Sequence, residues 1–367
     1  MVHPAVRALL RTTPSLAPIS NRGVLSITGS HAQEFLNGIV SSTVPTSPNQ
    51  HFYSAFLHAQ GRVLYDVFVY ANPTADGRRG HLIEFDSRAS DAPPLLPMLK
   101  RFVLRSKVKI SDVSDQYDVW ASWGSDPENT WETERQWAFA RSGVIEPQWD
   151  TVSESPWGAE PFRLRDRRGV GLGHRMLVRK GDKPQESTSH DIISSEDYIL
   201  HRILHGIPEG STDITPTQAF PMDSNLDIMG ALDFRKGCYV GQELTVRTYH
   251  TGVVRKRVFP VIIHHPDHGI ADIKLADHHT FSTGCDIRPK VVIAQGDPKV
   301  RPRGTGKLLS TTQCVGLALL RLEQVDAVER GEIRLTFEQE NADATKSIWG
   351  VTPWRPSWWP TSSAEYS

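Results

Sequence analysis

Three cysteines in 367 residues, at 238, 285 and 314, are too few, too far apart and odd in number for a disulfide framework. Their scarcity suits a reducing compartment. No CxxC or HExxH motif occurs, so the chain carries no complete zinc site of its own. There is no run of about 18 apolar residues, and neither a membrane span nor a membrane partner is expected. An excess of one charge is also missing: 41 Lys and Arg face 42 Asp and Glu, a formal net charge of −1. A dedicated nucleic-acid binder shows a clearer basic surplus. Acidic residues are absent before Glu34, while Arg7, Arg11 and Arg22 precede it. The acid-free stretch VRALLRTTPSLAPIS suits the end of an organellar presequence; the alternative is a flexible tail over 1–20.

What is present is enough chain for two or three domains. GVLSITGSHAQEFLNGIV opens as a strand, Val24 to Ile27, and a helix follows from about Ser30, whose hydroxyl can cap it. Ala32, Phe35, Leu36 and Ile39 recur at helical spacing. HFYSAFLHAQGRVLYDVFVY reads as two strands joined at Ala59-Gln60-Gly61. APPLLPMLKRFVL predicts a helix leading to Leu104, and VKISDVS a strand. From Tyr117 to Asp150 the pattern weakens, though the tryptophans there need cover. SEDYILHRILHG predicts a helix capped by Ser194 or Ser195 and ended by Gly206. After Thr251, short apolar strands broken by turns suit a small antiparallel barrel or sandwich, with a boundary near 250–258. The last stretch, WGVTPWRPSWWPTSSAEYS, holds four of the ten tryptophans and is expected to pack back on the body.

Several motifs have bland readings. GVGLG at 169–173 follows RLRDRR rather than an apolar strand, so it lacks the context of a dinucleotide loop. RGTGK at 303–307 has no hydroxyl residue at 308 to hold magnesium and is no P-loop. The stretch 163–180 carries seven Arg or Lys and one Asp, which reads as a solvated face or a phosphate-binding patch. His264, His265, His268, His278 and His279 read as surface histidines. Cys238 stands apart, in RKGCYVGQE. Arg235 and Lys236 place positive charge beside it, which favours thiolate, the nucleophile and the soft metal ligand. A buried structural cysteine is the alternative.

KGCYVGQE resembles the signature of the YgfZ/aminomethyltransferase (GcvT)-like family. The longer stretch FPMDSNLDIMGALDFRKGCYVGQELTVRTYHTGVVRKRVFPV resembles its mitochondrial iron–sulfur cluster assembly branch. TGSHAQEFLNGIV, AQGRVLYDVFVY, DRRGVGLGHRML and GLALLRLE resemble other family segments, so the likeness covers most of the chain. It implies an α+β fold: a ring of α+β modules around a central cleft, with a C-terminal antiparallel β-barrel. The modules would be 21–115, 116–252 with the signature, and 253–367 with the barrel and a Trp/Pro-rich tail.

The resemblance implies a factor for [4Fe–4S] assembly in the mitochondrial matrix, without independent catalytic activity. Cys238 would ligate a transient [2Fe–2S] or [4Fe–4S] cluster. One thiolate cannot hold a cluster that takes four protein ligands, so the others would come from an A-type assembly protein, and electrons from an external donor. Arg235 and Lys236 would offset the charge of the cluster. Gly237 and Gly241 would keep the rim low, and Tyr239, Gln242 and Glu243 complete the signature. In the aminomethyltransferases the cleft holds tetrahydrofolate and the hairpin carries paired acids. Here Tyr65 takes the first place and only Asp66 remains, which argues against aminomethyl transfer. Candidate folate-cleft residues are Tyr65, Asp66, Asn225 and Arg247. The alternatives are a folate-dependent one-carbon transferase and, suggested by the basic stretch, a tRNA-binding or modification factor. Neutral net charge opposes nucleic acid as a partner.

Overall fold

The structure is a computed structural model and describes residues 2–72, 80–125, 135–149, 155–266, 281–292, 305–340 and 345–360. Two compact units emerge. One comprises Thr12–Tyr198 and Glu209–Val253; the other Met1–Arg11, Ile199–Pro208 and Val254–Trp359.

The strands of the first unit are β1 (Ser15–Pro18), β2 (Arg22–Thr28), β3 (Phe52–Leu57), β4 (Val63–Ala71), β5 (His81–Asp86), β6 (Lys109–Asp112), β7 (Tyr117–Trp123), β8 (Gln136–Phe139), β9 (Ile145–Gln148), β10 (Arg163–Arg165), β11 (His174–Arg179) and β12 (Asp191–Ile192). They form a sheet ordered β3-β4-β5-β2-β6, a second ordered β10-β11-β7-β1-β12, and a β8-β9 hairpin. The helices of the whole chain are α1 (Ala32–Ile39), α2 (Leu95–Val103), α3 (Ser195–Leu204), α4 (Gly210–Asp213), α5 (Gln242–Thr251) and α6 (Leu322–Glu329).

The expected hairpin is β3-β4, and the expected helices are α1, α2 and α3. The α1 cap is His31 rather than Ser30, and no side chain caps it. Instead the His31 imidazole accepts from the Lys107 backbone N–H, 3.2 Å away. The weakly patterned 117–150 stretch contains β7, β8 and β9. Nor is the N-terminal segment a flexible tail: Pro4–Leu9 forms a 3-10 turn with Val6 buried, and β1 pairs with β7 and β12.

Phe35, Leu36, Ile39, Leu95 and Leu99 bring α1 and α2 onto one face of the first sheet, against Leu25, Ile27, Val67, Val69 and Ile83. The other face carries a buried network of charged and polar side chains. Glu84 on β5 accepts from Arg22 on β2 (2.6 Å) and from both Nε and Nη2 of Arg175 on β11 (2.6–2.9 Å). Glu209 joins Arg175 at 3.0 Å and Arg168 at 2.8 Å, and Arg168 also pairs with Asp166 at 2.7 Å. Tyr198 donates to Glu209 (2.8 Å) and Tyr70 to Glu84 (3.1 Å). Arg168 and Arg175 lie over the Phe68 ring, at 4.7 and 4.3 Å from its centroid.

The middle of the basic 163–180 stretch is therefore not a solvated face, while Arg179 and Lys180 at its end are exposed. Its two central arginines, Arg168 and Arg175, are almost fully buried and balanced by carboxylates. Burial acts to raise the Glu84 carboxyl, yet Arg175 and Arg22 outweigh it and hold Glu84 below its ordinary value. GVGLG is the turn between β10 and β11, not a strand–helix phosphate loop; a Cβ on Gly173 would come within 1.9 Å of the Ser122 carbonyl oxygen.

The second unit contains a closed antiparallel barrel of β13 (Lys256–His264), β14 (Asp286–Val291), β15 (Gly306–Thr312), β16 (Val315–Arg321), β17 (Ile333–Glu340) and β18 (Lys346–Pro353), ordered β13-β16-β15-β14-β17-β18. Alternation on β13 sends Phe259, Val261 and Ile263 to the interior. Val258 and Ile262 point outward under Leu200, Ile203, Leu204, Val6 and Trp354. The tryptophan-rich end packs back as expected: Trp354 and Trp358 are buried, and Trp359 stacks on Phe259. The α+β class with a C-terminal antiparallel barrel is thus as expected. His264 sits on β13, bonded to Thr352; His268, His278 and His279, and the start of RGTGK, lie outside the described residues.

Candidate functional site

The signature loop runs from the chain after Asp233 into α5. Its exposed point is Gly237-Cys238, and both flanks are anchored. On one side, the Lys236 ammonium donates to the carbonyls of Asn37 (2.8 Å), Val40 (2.8 Å) and Ser42 (2.9 Å). These oxygens lie at and just past the C-terminus of α1, where helix carbonyls lack partners and the helix dipole favours a cation. On the other side Tyr239 is buried. Its hydroxyl lies 2.9 Å from the Thr245 hydroxyl, and its N–H donates to the Gln242 side-chain oxygen at 3.1 Å. The Val240 N–H donates to Gly38, and Val240 packs on the core under α1.

The two glycines have different jobs. Gly241 has φ +83°, and a Cβ there would come within 2.4 Å of the His58 carbonyl oxygen and 2.7 Å of Leu57 Cβ. Gly61, in the facing hairpin, has φ +80° and would strike Leu244. The hairpin and the start of α5 approach this closely because both positions lack side chains. Gly237 has open space around it. Gly241→Ala is expected to lower stability by about 1–3 kcal/mol, from left-handed strain and the clash. Gly237→Ala is expected to stay within about 0.5 kcal/mol of the parent. Thermal melts of the two variants check this, and equal losses would contradict it.

The cations of the signature are engaged in structure. Lys236 has all three donors on carbonyls at and just past the end of α1, and its ammonium is held down, to about 8, by burial against the opposing pull of Asp233. A Lys236→Glu change would strip those carbonyls of their donor, so it reports on loop anchoring rather than on the thiol. Arg235 is exposed and pairs with Glu146 at 3.2 Å. Glu243 and Arg247 are exposed on α5. Of the other thiols, Cys314 is buried in the second unit and Cys285 half-buried there, and burial pushes both upward. No group of three or more metal-binding side chains occurs among the described residues.

Tyr65, Asp66, Asn225 and Arg247 do not converge. Tyr65 faces the core beneath α2 and donates to the Pro93 carbonyl. Asp66, its neighbour on β4, points to the opposite face. There it accepts from the Gly210 N–H (3.1 Å) and from the Tyr53 hydroxyl (3.4 Å). Burial pushes its carboxyl up. Asn225 is buried with φ +61° in a turn of its own.

A cavity of about 560 Å³ instead lies between Ser42–Thr43, His51–Tyr53, Glu146–Trp149, Trp157, Asp233 and the signature residue Arg235. Burial holds the His51 imidazole below its ordinary value. Trp149 is flanked by Arg135 and Arg167, 4.4 and 5.1 Å from its ring centroid. Sequence reasoning missed Tyr53, Trp149 and Trp157: Tyr53 lies far along the chain from the two tryptophans, and no spacing links them.

The two five-stranded sheets with their helices and the closed six-stranded barrel put the chain in the class of the aminomethyltransferase fold. Glycine cleavage system aminomethyltransferase T from Bartonella henselae aligns over 96% of this chain and 90% of its own, with TM-score 0.57 and 14% identity. Residues 255–361 match the CAF17 C-terminal beta-barrel domain. The chain belongs to the family of mitochondrial iron–sulfur cluster assembly factors named IBA57 homologues. It is 39% identical to the one from Cryptococcus neoformans var. neoformans serotype D, over 85% of each chain. The relative from Mycosarcoma maydis is 33% identical over 95% of this chain and 86% of its own. That from Pyricularia oryzae is 36% identical over 90% and 77%.

Proposed function

We propose that this protein is an accessory factor for mitochondrial [4Fe–4S] assembly, acting in the matrix, and that it presents Cys238 as one ligand of a cluster shared with an A-type assembly protein. The observation that carries the reading is the exposed Cys238 between two anchored flanks. Lys236 and Tyr239 root the loop in the protein, so the thiol projects outward at little further entropic cost on docking. Gly237 leaves room for an approaching chain. The cluster is cargo: Cys238 supplies one thiolate, and the remaining ligands come from the partner. Two [2Fe–2S]²⁺ units fuse to one [4Fe–4S]²⁺ by taking up two electrons, and an external donor must supply these.

The test mixes this protein with an A-type partner, iron and sulfide under anaerobic conditions. Visible absorption should co-elute with a heterocomplex on size exclusion. Colour that elutes only with the partner alone would count against the reading.

The cavity favours a second reading, a folate-dependent one-carbon transferase. Its aromatic wall suits a flat ring, but Asp66 is occupied by Gly210 and Tyr53, and Tyr65 faces away. Calorimetry with a reduced folate, followed by an aminomethyl transfer assay, separates the two; binding without transfer is the expected result.

A further inference from the structure

The connection from α2 to β6 forms a cationic, apolar-tipped knob. Lys100, Arg101, Arg105, Lys107 and Lys109 are all exposed, and no acidic residue occurs between Asp91 and Asp112. Among the described residues no carboxylate pairs with any of the five. Glu34, in the α1 turn beside the Lys107 contact, pairs with none of them. Amid these charges Phe102 is 40% exposed and Leu104 88% exposed. Leu104 has φ +43° and ψ −111°, a conformation strained for a residue with a side chain, and its side chain gains almost no packing in return. The base of the knob is held firmly. The Lys107 N–H donates to His31, and a Cβ on Gly29 would come within 2.1 Å of the Lys107 carbonyl oxygen.

We infer that this knob docks the protein on the surface of an anionic phospholipid bilayer, with Phe102 and Leu104 entering the headgroup layer. Two features favour lipid over an acidic protein. The apolar side chains stand on a protruding turn rather than lining a concavity, where protein hot spots bury. They are also ringed by unpaired cations, the combination that holds peripheral proteins at charged interfaces. No helix among the described residues is long and apolar enough to cross a membrane, so the contact is peripheral. Lys107 and Lys236 touch opposite ends of α1, which are about 12 Å apart along its axis. The knob and the signature loop are therefore separate surfaces.

Flotation with vesicles tests this, using phosphatidylcholine alone and phosphatidylcholine doped with cardiolipin. The full chain should float with the anionic vesicles at low salt, not with the neutral ones, and release as salt rises. Leu104→Gly relieves the strain and removes the apolar tip. It should bind several-fold more weakly with an unchanged or higher melting temperature. Lys100→Glu with Arg105→Glu should cost at least about fivefold per cation. Failure to float with anionic vesicles overturns the inference. So does loss on charge reversal with no effect of Leu104→Gly or Phe102→Ser, the pattern of an acidic protein site. Neither result bears on cluster assembly, which the knob does not serve.

Discussion

Arg175→Met is expected to destabilise the protein by about 3–5 kcal/mol, with the loss confined to the unit that holds both sheets. Arg175 is 1% exposed and pairs with Glu84 and Glu209 at once. In this layer Arg22, Arg168 and Arg175 are paired with Glu84, Glu209 and Asp166, and the carboxyl of Asp66 is buried beside them. Removing one guanidinium leaves a net negative charge where water cannot reach it. Methionine keeps the volume, so the loss reports on charge rather than on a cavity.

Two readouts make this specific. Glu84→Gln added to Arg175→Met should recover more than about 1 kcal/mol, because the second change removes the stranded charge. The pH dependence should also change sign. In the parent, Glu84 is held below its ordinary value, so its stabilisation is present above about pH 4.5 and lost as pH falls. In Arg175→Met the carboxylates of the layer are pushed up, so the variant should gain stability as pH is lowered from neutrality towards 5. Additive losses in the double variant, or a pH profile parallel to that of the parent, would sink the account.

This layer also shows where the sequence stopped being legible. Periodicity marked α1, the β3-β4 hairpin, α3 and the barrel strands, because their apolar faces are local patterns. Arg168 and Arg175 sit in a stretch whose composition matches a solvent face. Their partners are far away: Glu84 lies 91 residues from Arg175, and Glu209 lies 34 residues beyond it. Nothing local distinguishes an arginine buried by such partners from an exposed one. The signature behaved differently. Its residue types singled out Cys238, which the fold leaves exposed, but local charge alone did not show what engages Lys236. Three backbone carbonyls at the end of α1 claim that ammonium, and only the fold brings them together. Tyr65 was legible as the departure from the transferase pattern and Asp66 as the acid that remains; the use of Asp66 in holding the Glu209–Gly210 turn was not.

Cys238→Ser should leave the fold intact and abolish the shared cluster. The side chain is exposed, so exchanging sulfur for oxygen should shift stability by less than about 0.5 kcal/mol. Serine is nearly the same size but offers a hard, protonated hydroxyl in place of a soft thiolate. The coloured complex with the A-type partner should therefore fail to form, or lose iron rapidly on dilution. Cys314→Ser is the complementary control. Cys314 is 7% exposed in the apolar core of the second unit, so its replacement should cost about 1–3 kcal/mol while cluster formation persists. Cys285→Ser should spare the cluster. The expected pattern is a double dissociation: one thiol matters for the cluster and not for the melt, another for the melt and not for the cluster. A Cys238→Ser protein that still forms a stable, coloured complex would remove Cys238 from the cluster and leave the anchored loop as a docking surface only.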